Sequence, residues 1–331
     1  MEFGFSDEQQ EIKSTAHDFL SDRFKPEKVR ELAESENPYD DALWKEMGEL
    51  GWPGIAIAED HGGQGLGMVE LAILLEEMGY ACAPSPFIAN AAAGLVIDAA
   101  GSQEQRERWL PGIASGEERG SVAMTADERP IAGAAQGAAV IVLPQGDDAR
   151  LVEASDAELE RLDLIDTTRA YFRVSADGGD PLPESPVTGL QKSAVALSAE
   201  LVGVAQRALD MATDYAKERE QFGRPIGAYQ AVSHRLADML WAVEEARSLT
   251  YYAAWTADAD PDALPLASHM AKARASDAAA SVAHDAIQTL GGIGFTWEHD
   301  VHFLLKRAKV SGQMLGTAGQ HRERVADLAF A

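Results

Sequence analysis

The chain has 331 residues, enough for two or more domains, and 46% of them are hydrophobic, which excludes an intrinsically disordered protein. Its 54 Asp and Glu residues outnumber its 28 Lys and Arg residues, and the formal net charge of −26 argues against nucleic acid as a partner. No apolar run is long enough to span a membrane, and the single cysteine, Cys82, excludes an internal disulfide and a cysteine zinc site.

The N-terminal third is predicted to be helical. The opening "FSDEQQEI" has Ser6 as a helix N-cap and Gln9 three residues later, which is the capping-box pattern. The start lacks the basic and apolar regions of a signal peptide, so we expect a cytoplasmic protein. Apolar residues then recur three and four apart to about residue 113. We assign residues 1–115 to an N-terminal helical domain.

The character of the sequence changes at about residue 119. The stretches "GSVAMT", "AAVIVLP", "RLVEA" and "AYFRV" are short, rich in β-branched residues and separated by Gly, Asp and Pro, so they are predicted to be strands. We assign residues 116–188 to a reduced middle β domain, because the segment leaves little room for a full barrel. Residues 189–331 are again helical and are predicted to form a C-terminal helix bundle. The predicted fold class is mostly α with a small β domain.

Charge is distributed unevenly between the two parts of the chain. Residues 1–189 hold 14 Lys and Arg against 37 Asp and Glu, whereas residues 190–331 hold 14 against 17. The C-terminal part would therefore tolerate an anionic ligand far better. The alternative is that the acidic surface serves only solubility.

A break between two predicted helices carries basic side chains. In "YAKEREQFGRPIGAYQ" one helix runs through Arg219 and stops at Gly223, and Arg224 follows directly. Arginine beside the free N–H groups of a helix N-terminus suits a phosphate. The alternative is a plain corner between helices, with Arg219 paired to Glu218 or Glu220.

A second break, "QTLGGIGFTWEHD" at residues 288–300, places Gly291, Gly292 and Gly294 within four positions. Glycine permits positive φ and the close approach of main chain to another group. The alternative is that these glycines only pack helix against helix. In the same stretch His299 and His302 stand three residues apart, a spacing that could bring two imidazoles to a metal ion. No third ligand is evident, so no metal site is predicted.

Together, "REQFGRPIGAYQ" and "QTLGGIGFTWEHD" resemble the acyl-CoA dehydrogenase family. The resemblance covers nearly the whole chain, including "FSDEQQEI" and the order of helices, β segment and helices. It implies an N-terminal helical domain, a middle β domain and a C-terminal four-helix bundle. In that family the bundles pack into a tetramer, and FAD lies across a subunit interface.

The resemblance also implies which residues reach the FAD held by a neighbouring subunit. Arg219 would pair with the pyrophosphate, Phe222 would pack near the adenine and Gln230 would hydrogen-bond the cofactor. The backbone N–H groups of five consecutive residues would complete this contact: Gln288, Thr289, Leu290, Gly291 and Gly292.

The positions that the resemblance assigns to the catalytic base hold no carboxylate. Family enzymes remove an α-proton with a carboxylate that usually precedes a Gly-Thr pair, and here Leu315 precedes Gly316. Other members carry the base on the first bundle helix, where this chain has Ser193. Glu200 lies seven residues further on, about 10.5 Å along a helix axis, and Glu298 is a second substitute. No catalytic residue is therefore predicted.

The β segment departs from the family as well. Thr125 is kept from the loop that helps to seat the flavin, but Ala126 stands where that loop has a glutamate, and no tryptophan occurs between Trp109 and Trp241. The features that would hold the chain's own flavin are thus missing, whereas those that reach a neighbour's FAD are present.

The chain therefore resembles the short, base-less subunit of heterotetrameric (α₂β₂) acyl-CoA dehydrogenases that act on steroid-derived CoA thioesters. The resemblance implies a sister acyl-CoA dehydrogenase subunit as partner, an acyl-CoA substrate bound mainly there, and an electron-transfer flavoprotein as acceptor. Two alternatives remain. One is a self-sufficient dehydrogenase with Glu200 or Glu298 as base. The other is a flavin-free structural or CoA-thioester-binding protein.

Overall fold

The computed structural model describes residues 4–125 and 130–330, and six helices form the N-terminal part. They are α1 Asp7–Arg23, α2 Pro26–Ala33, α3 Asp41–Glu49, α4 Met68–Tyr80, α5 Phe87–Ala100 and α6 Gln103–Ser115. The predicted capping box is present, because the Gln9 N–H donates to Ser6 Oγ and the Ser6 N–H donates to Gln9 Oε1. Helices α4 and α5 are apolar on most of their surface, so they form the buried centre of this part.

The middle part contains two small sheets. Its strands are β1 Gly120–Val122, β2 Ile131–Gly133, β3 Val140–Gln145, β4 Asp148–Glu153, β5 Glu158–Leu162, β6 Tyr171–Ser175 and β7 Asp180–Pro181. One sheet has the order β1-β3-β4-β7, with β1 parallel to β3 and the other pairs antiparallel. The other sheet is antiparallel in the order β2-β6-β5. Ala123 and Ala132 form a bridge between the sheets.

The C-terminal part is built on three long helices and two shorter ones. They are α7 Val187–Glu218, α8 Gln230–Ala259, α9 Leu264–Leu290, α10 Val301–Ser311 and α11 Ala318–Phe330. A two-residue hairpin, β8 Glu220–Gln221 with β9 Arg224–Pro225, joins α7 to α8. Alanines line the contact between the long helices and allow their axes to approach closely. The predicted fold class is confirmed, whereas the three domain boundaries stay a prediction.

A buried ion cluster joins the three parts of the chain. Arg307 of α10 is fully buried, and its guanidinium lies 3.0 Å from Glu200 Oε1 of α7 and 3.1 Å from Asp166 Oδ2, which precedes β6. Arg307 also donates to the Ala83 carbonyl between α4 and α5 (3.4 Å), and Arg169 pairs with Glu200. The cluster holds two cations and two anions, so each buried charge has a partner.

None of the helices in the described ranges is both long enough and apolar enough to cross a membrane.

Candidate functional site

The segment after α7 projects a phenylalanine into solvent. Phe222 and Gly223 are the two turn residues of the β8–β9 hairpin, with φ of 53° and 79°. A two-residue turn with both φ values positive matches the twist of a hairpin, but it costs an aromatic residue about 1–2 kcal/mol. The Phe222 side chain is 95% exposed. The strained turn thus holds the Phe222 ring in solvent, where the rest of the described chain leaves it almost fully exposed.

Arg219 is exposed at the end of α7. Within the described residues no carboxylate oxygen lies within 4.0 Å of its guanidinium, so neither Glu218 nor Glu220 is its ion-pair partner. Arg224 instead stacks its guanidinium 4.0 Å from the ring centroid of Tyr229. Arg219 is therefore available to an external anion. The alternative of a plain corner between helices had predicted that Arg219 pairs with Glu218 or Glu220.

The structure brings the two breaks to one end of the bundle. Helix α8 begins at Gln230, which is exposed, and α9 ends at Leu290. Arg235 Nε lies 3.7 Å from Asp285 Oδ1, and each of these residues is five positions from its helix end. At 1.5 Å per residue, the start of α8 and the end of α9 lie equally far from this pair along the two helices. The two helix ends are therefore side by side.

The three glycines of the second break have three different explanations. Gly291 has a φ of +64°, which favours glycine. A Cβ on Gly294 would lie 2.8 Å from Leu290 Cβ, so this glycine serves packing inside the chain. Gly292 has ordinary helical angles, and a Cβ there would meet no atom within 4 Å. Only an approach from outside the described chain would require a glycine at position 292.

The structure corrects the expectation that five backbone N–H groups face the cofactor. The N–H groups of Gln288, Thr289 and Leu290 lie inside α9, and the Gly291 N–H donates to the Ile287 carbonyl (3.0 Å). The Thr289 and Leu290 side chains are buried. Among the described residues, Gly292 alone of the five has an N–H without a backbone acceptor. Gln288 is exposed and can contribute its side-chain amide.

The loop that precedes α11 is held firmly although it carries no carboxylate. Leu315 has a φ of +58°, and its N–H donates to the Met124 carbonyl (2.7 Å). The fully buried Lys272 of α9 donates to the carbonyls of Gly312 (3.2 Å) and Gly316 (3.2 Å) on either side. Burial lowers the pKa of Lys272 to about 7. Lys272 thus fixes both ends of the loop at the family's base position.

His321 of α11, paired with His269 of α9, holds the same loop. His321 Nε2 lies 3.0 Å from the Leu315 carbonyl oxygen, so this nitrogen carries the proton and donates it. His321 Nδ1 then accepts from His269 Nδ1, 2.7 Å away. Burial, followed by the charge of Lys272, lowers the pKa of His321 to about 4.

We expect acid to destabilise the chain through its neutral histidines. Burial lowers the pKa of His302, like that of His321, to about 4, and it lowers the pKa of His269 and His299 in the same direction. Histidine in the unfolded chain has a pKa of about 6.5, so between about pH 6.5 and 4 the unfolded state binds more protons and stability falls as pH falls. For His321 the loss is at most about 3 kcal/mol. Urea unfolding midpoints at pH 7 and pH 4.5 measure it.

The His321→Gln variant keeps a donor for the Leu315 carbonyl but cannot titrate, so it should lose less stability on acidification than the wild-type chain. His284→Gln, at an exposed position of α9, is the matched control and should lose as much as the wild-type chain. Equal acid losses in all three proteins would contradict the assignment to His321.

A cavity lies beside the Leu315 loop, where the three parts of the chain meet. It is narrow and partly open to solvent. It is bounded by Pro86 at the start of α5, Leu197 of α7, Met314 of the loop and Arg169 before β6. Its remaining walls come from the 37–39, 85–89, 133–136 and 170–172 segments, Met124 and Ser311. No aspartate or glutamate is among the described residues that line it.

The residues at the expected base positions are structural in this chain. Ser193 is fully buried in α7, and its hydroxyl donates to the Gly189 carbonyl (2.8 Å). Glu200 is committed to Arg307 and Arg169 and does not line the cavity. Glu298 is exposed in the loop before α10. The geometry therefore supports neither glutamate as a base for a substrate in this cavity.

The "WEHDVH" stretch organises the start of α10. The Val301 N–H donates to His299 Nδ1 (3.2 Å), and the His302 ring packs edge-on against Trp297, 4.7 Å between centroids. Across residues 4–125 and 130–330, no three His, Cys, Asp or Glu side chains converge as a metal site would require.

Part of the flavin-seating prediction lies outside the described residues. Thr125 Oγ1 accepts the Ile131 N–H (2.9 Å), whereas Ala126 falls in the 126–129 gap. The role of Lys272 was not predicted from the sequence. Its only signal is a lysine at an apolar-face position among the alanines of α9.

Two family models match the chain. Residues 6–117 match "Acyl-CoA dehydrogenase, N-terminal domain", and residues 184–329 match "Acyl-CoA dehydrogenase, C-terminal domain". The chain is 31% identical over 310 residues to the acyl-CoA dehydrogenase IpdE2 of Mycobacterium tuberculosis, with 93% of each chain covered.

Two solved structures are similar over their full length. One is a variant of the Tcur3481–Tcur3483 steroid ACAD, at 30% identity, a TM-score of 0.90 and 98% coverage of each chain. The other is the ChsE4–ChsE5 complex from Mycobacterium tuberculosis, at 26% identity, a TM-score of 0.90 and 100% coverage of each chain.

Proposed function

Because the chain belongs to the acyl-CoA dehydrogenase family, we propose that it is the non-catalytic subunit of a heteromeric enzyme. In this proposal it completes the FAD site of a sister subunit that oxidises the α,β bond of an acyl-CoA thioester. The similarity to a steroid ACAD and to a two-component complex supports a steroid-derived substrate and an α₂β₂ assembly. An electron-transfer flavoprotein would accept the electrons.

The cavity beside the Leu315 loop carries this proposal. A general base must lie within hydrogen-bond reach of the proton that it removes. Leu315 supplies no carboxylate, Ser193 is buried with its hydroxyl engaged, and the described walls of the cavity contain no Asp or Glu. The loop is nevertheless held by Lys272 and His321. This chain keeps the framework of an active site without the group that moves the proton.

The surface at the α8 and α9 ends fits an FAD that belongs to a neighbour. We call this surface, formed by Arg219, Phe222, Gln230, Gln288 and Gly292, the FAD clasp. Within residues 4–125 and 130–330, it combines a cation without an ion-pair partner, an exposed aromatic ring, two exposed side-chain amides and one N–H group without a backbone acceptor. A pyrophosphate and an adenine require these kinds of contact. When bound, FAD supplies the acceptor for a hydride, and this chain's residues only hold it.

Replacing Arg219 with alanine in the heteromer should weaken FAD binding. Arg219 is the clasp residue that can neutralise the pyrophosphate, and loss of a hydrogen bond to a charged group costs about 1.5–3 kcal/mol. The dissociation constant for FAD should rise about ten- to a hundredfold. Titration of the FAD-depleted heteromer, followed by flavin fluorescence, measures it. The wild-type α₂β₂ assembly should hold two FAD.

Arg322→Ala is the matched control, because Arg322 is also an exposed arginine but pairs with Asp277 away from the clasp. Its FAD affinity should equal that of the wild type. Four FAD per tetramer, or an unchanged FAD affinity in Arg219→Ala, would contradict the proposal that the FAD is seated on the sister subunit and contacted by this chain.

A further inference from the structure

The segment that contains the clasp glycines is held internally only by turn hydrogen bonds among residues 291–296, as far as the described residues show. Between the end of α9 and the start of α10, residues 291–300 contain one short 3₁₀ turn, Ile293–Phe295. The Phe295 and Trp297 side chains are 90% and 72% exposed. We call residues 291–300 the clasp loop. Its first end is fixed by the buried Leu290, so its geometry depends on what holds the second end.

The second end is held by an arginine from the N-terminal part of the chain. Arg30 of α2 donates from Nη1 to the Trp297 carbonyl (2.5 Å), and its Nη2 lies 2.6 Å from Asp300 Oδ1. Its guanidinium also lies 5.9 Å from the ring centroid of Phe303 in α10. One planar group thus contacts both a main-chain carbonyl and the residue that precedes α10, while Lys306 and His302 lie against the Trp297 ring.

We infer that Arg30 is a positioning residue for the FAD clasp: by holding Trp297 and Asp300 it sets where Gly292 meets the cofactor of the sister subunit. This inference rests on the proposed function. Arg30 sits on α2, whereas the clasp is built by α7, α8 and α9, and its described contacts are to the clasp loop and the start of α10. It therefore acts through the loop. The bidentate shape of the guanidinium is essential, since a lysine presents a point charge to one acceptor.

The first test uses the isolated chain. In Arg30→Met, hydrogen exchange of the amides in residues 291–300 should be at least about tenfold faster than in the wild type, the factor expected for about 1.4 kcal/mol of lost restraint. Arg23→Met removes an exposed arginine that pairs with Glu46 in the same part of the chain, and it should leave this exchange unchanged. Equal exchange in Arg30→Met and wild type overturns the inference.

The second test uses the heteromer, co-purified with the tagged chain. Arg30→Met should raise the FAD dissociation constant about tenfold, whereas kcat at saturating FAD stays within about twofold. Arg30→Lys keeps the charge but presents a point donor to one acceptor, so it should recover little of the affinity. If Arg30→Met is insoluble, Asp300→Ala, which removes one of the two groups that Arg30 contacts, decides by the same threshold. A lowered melting temperature with unchanged FAD affinity overturns the inference. If Arg219→Ala also leaves FAD affinity unchanged, the proposed function fails instead.

Discussion

Assayed alone with acyl-CoA thioesters and an artificial electron acceptor, the purified chain is expected to show no turnover. The described residues that line the cavity beside the Leu315 loop include no carboxylate, and a positioned general base contributes about 10²–10⁴ in rate. The sequence also departs from the family where the flavin is seated. The rate should therefore lie at least on the order of 10² below that of the heteromer. Acceptor reduction followed by absorbance, with the heteromer as positive control, measures it.

The Leu315→Glu variant separates the two expected causes of this inactivity, the missing catalytic base and the missing flavin seat. It places a carboxylate on a loop that Lys272 and His321 already hold. If the chain also lacks a flavin seat, the variant alone should remain colourless and inactive. Turnover by the wild-type chain would contradict the subunit role. Turnover only in Leu315→Glu would show that the chain seats its own FAD.

Replacing Arg307 with leucine is expected to lower the free energy of unfolding by about 3–5 kcal/mol. Arg307 is fully buried between Glu200 and Asp166, and its removal leaves two buried carboxylates with Arg169 as the remaining cation of the cluster. Urea unfolding at a fixed protein concentration, followed by circular dichroism, measures the change.

Two further variants test whether unpaired buried charge causes this loss of stability. Adding Asp166→Asn to Arg307→Leu restores a neutral cluster and should recover about 1–2 kcal/mol. Arg322→Leu breaks an exposed ion pair and should cost less than about 1 kcal/mol. A loss below about 1 kcal/mol in Arg307→Leu would mean that the cluster contributes little to stability.

Local sequence signals predicted one helix end well and another less well. The Ser6 capping box marks the start of α1 at Asp7, because a cap acts on the backbone where it stands. Helix α7 ends at Glu218, five residues before the predicted stop at Gly223, because Gly223 lies in the turn of the β8–β9 hairpin. Four strands were predicted, but β2, β5 and β7 were not. Strand β5, "ELERL", is polar and mostly exposed, so no apolar alternation marks it. Strands β2 and β7 have three and two residues, too few for a period.

The candidate site was predictable only where it is local. The two motifs indicated the clasp, but Trp297 is 267 residues from Arg30, and Glu200 is 107 residues from Arg307. Such pairs leave no spacing pattern in one sequence. The glycines of the second break also show what a single sequence leaves undetermined. Gly291, Gly292 and Gly294 look alike in the sequence, and only coordinates separate a positive φ, an open approach and a close internal contact.

The aromatic rings that the described chain leaves uncovered have a consequence for the cell. Besides Phe222, Phe295 and Trp297, the exposed set includes Trp241 and Phe330. Chaperones and proteases recognise proteins that display apolar surface, and they shorten the lifetime of such molecules. A copy that has not yet met its sister subunit would display these rings, whereas an assembled copy would hide those at the interface. If the chain assembles with a sister subunit as proposed, we expect its amount in a cell to follow the supply of that partner.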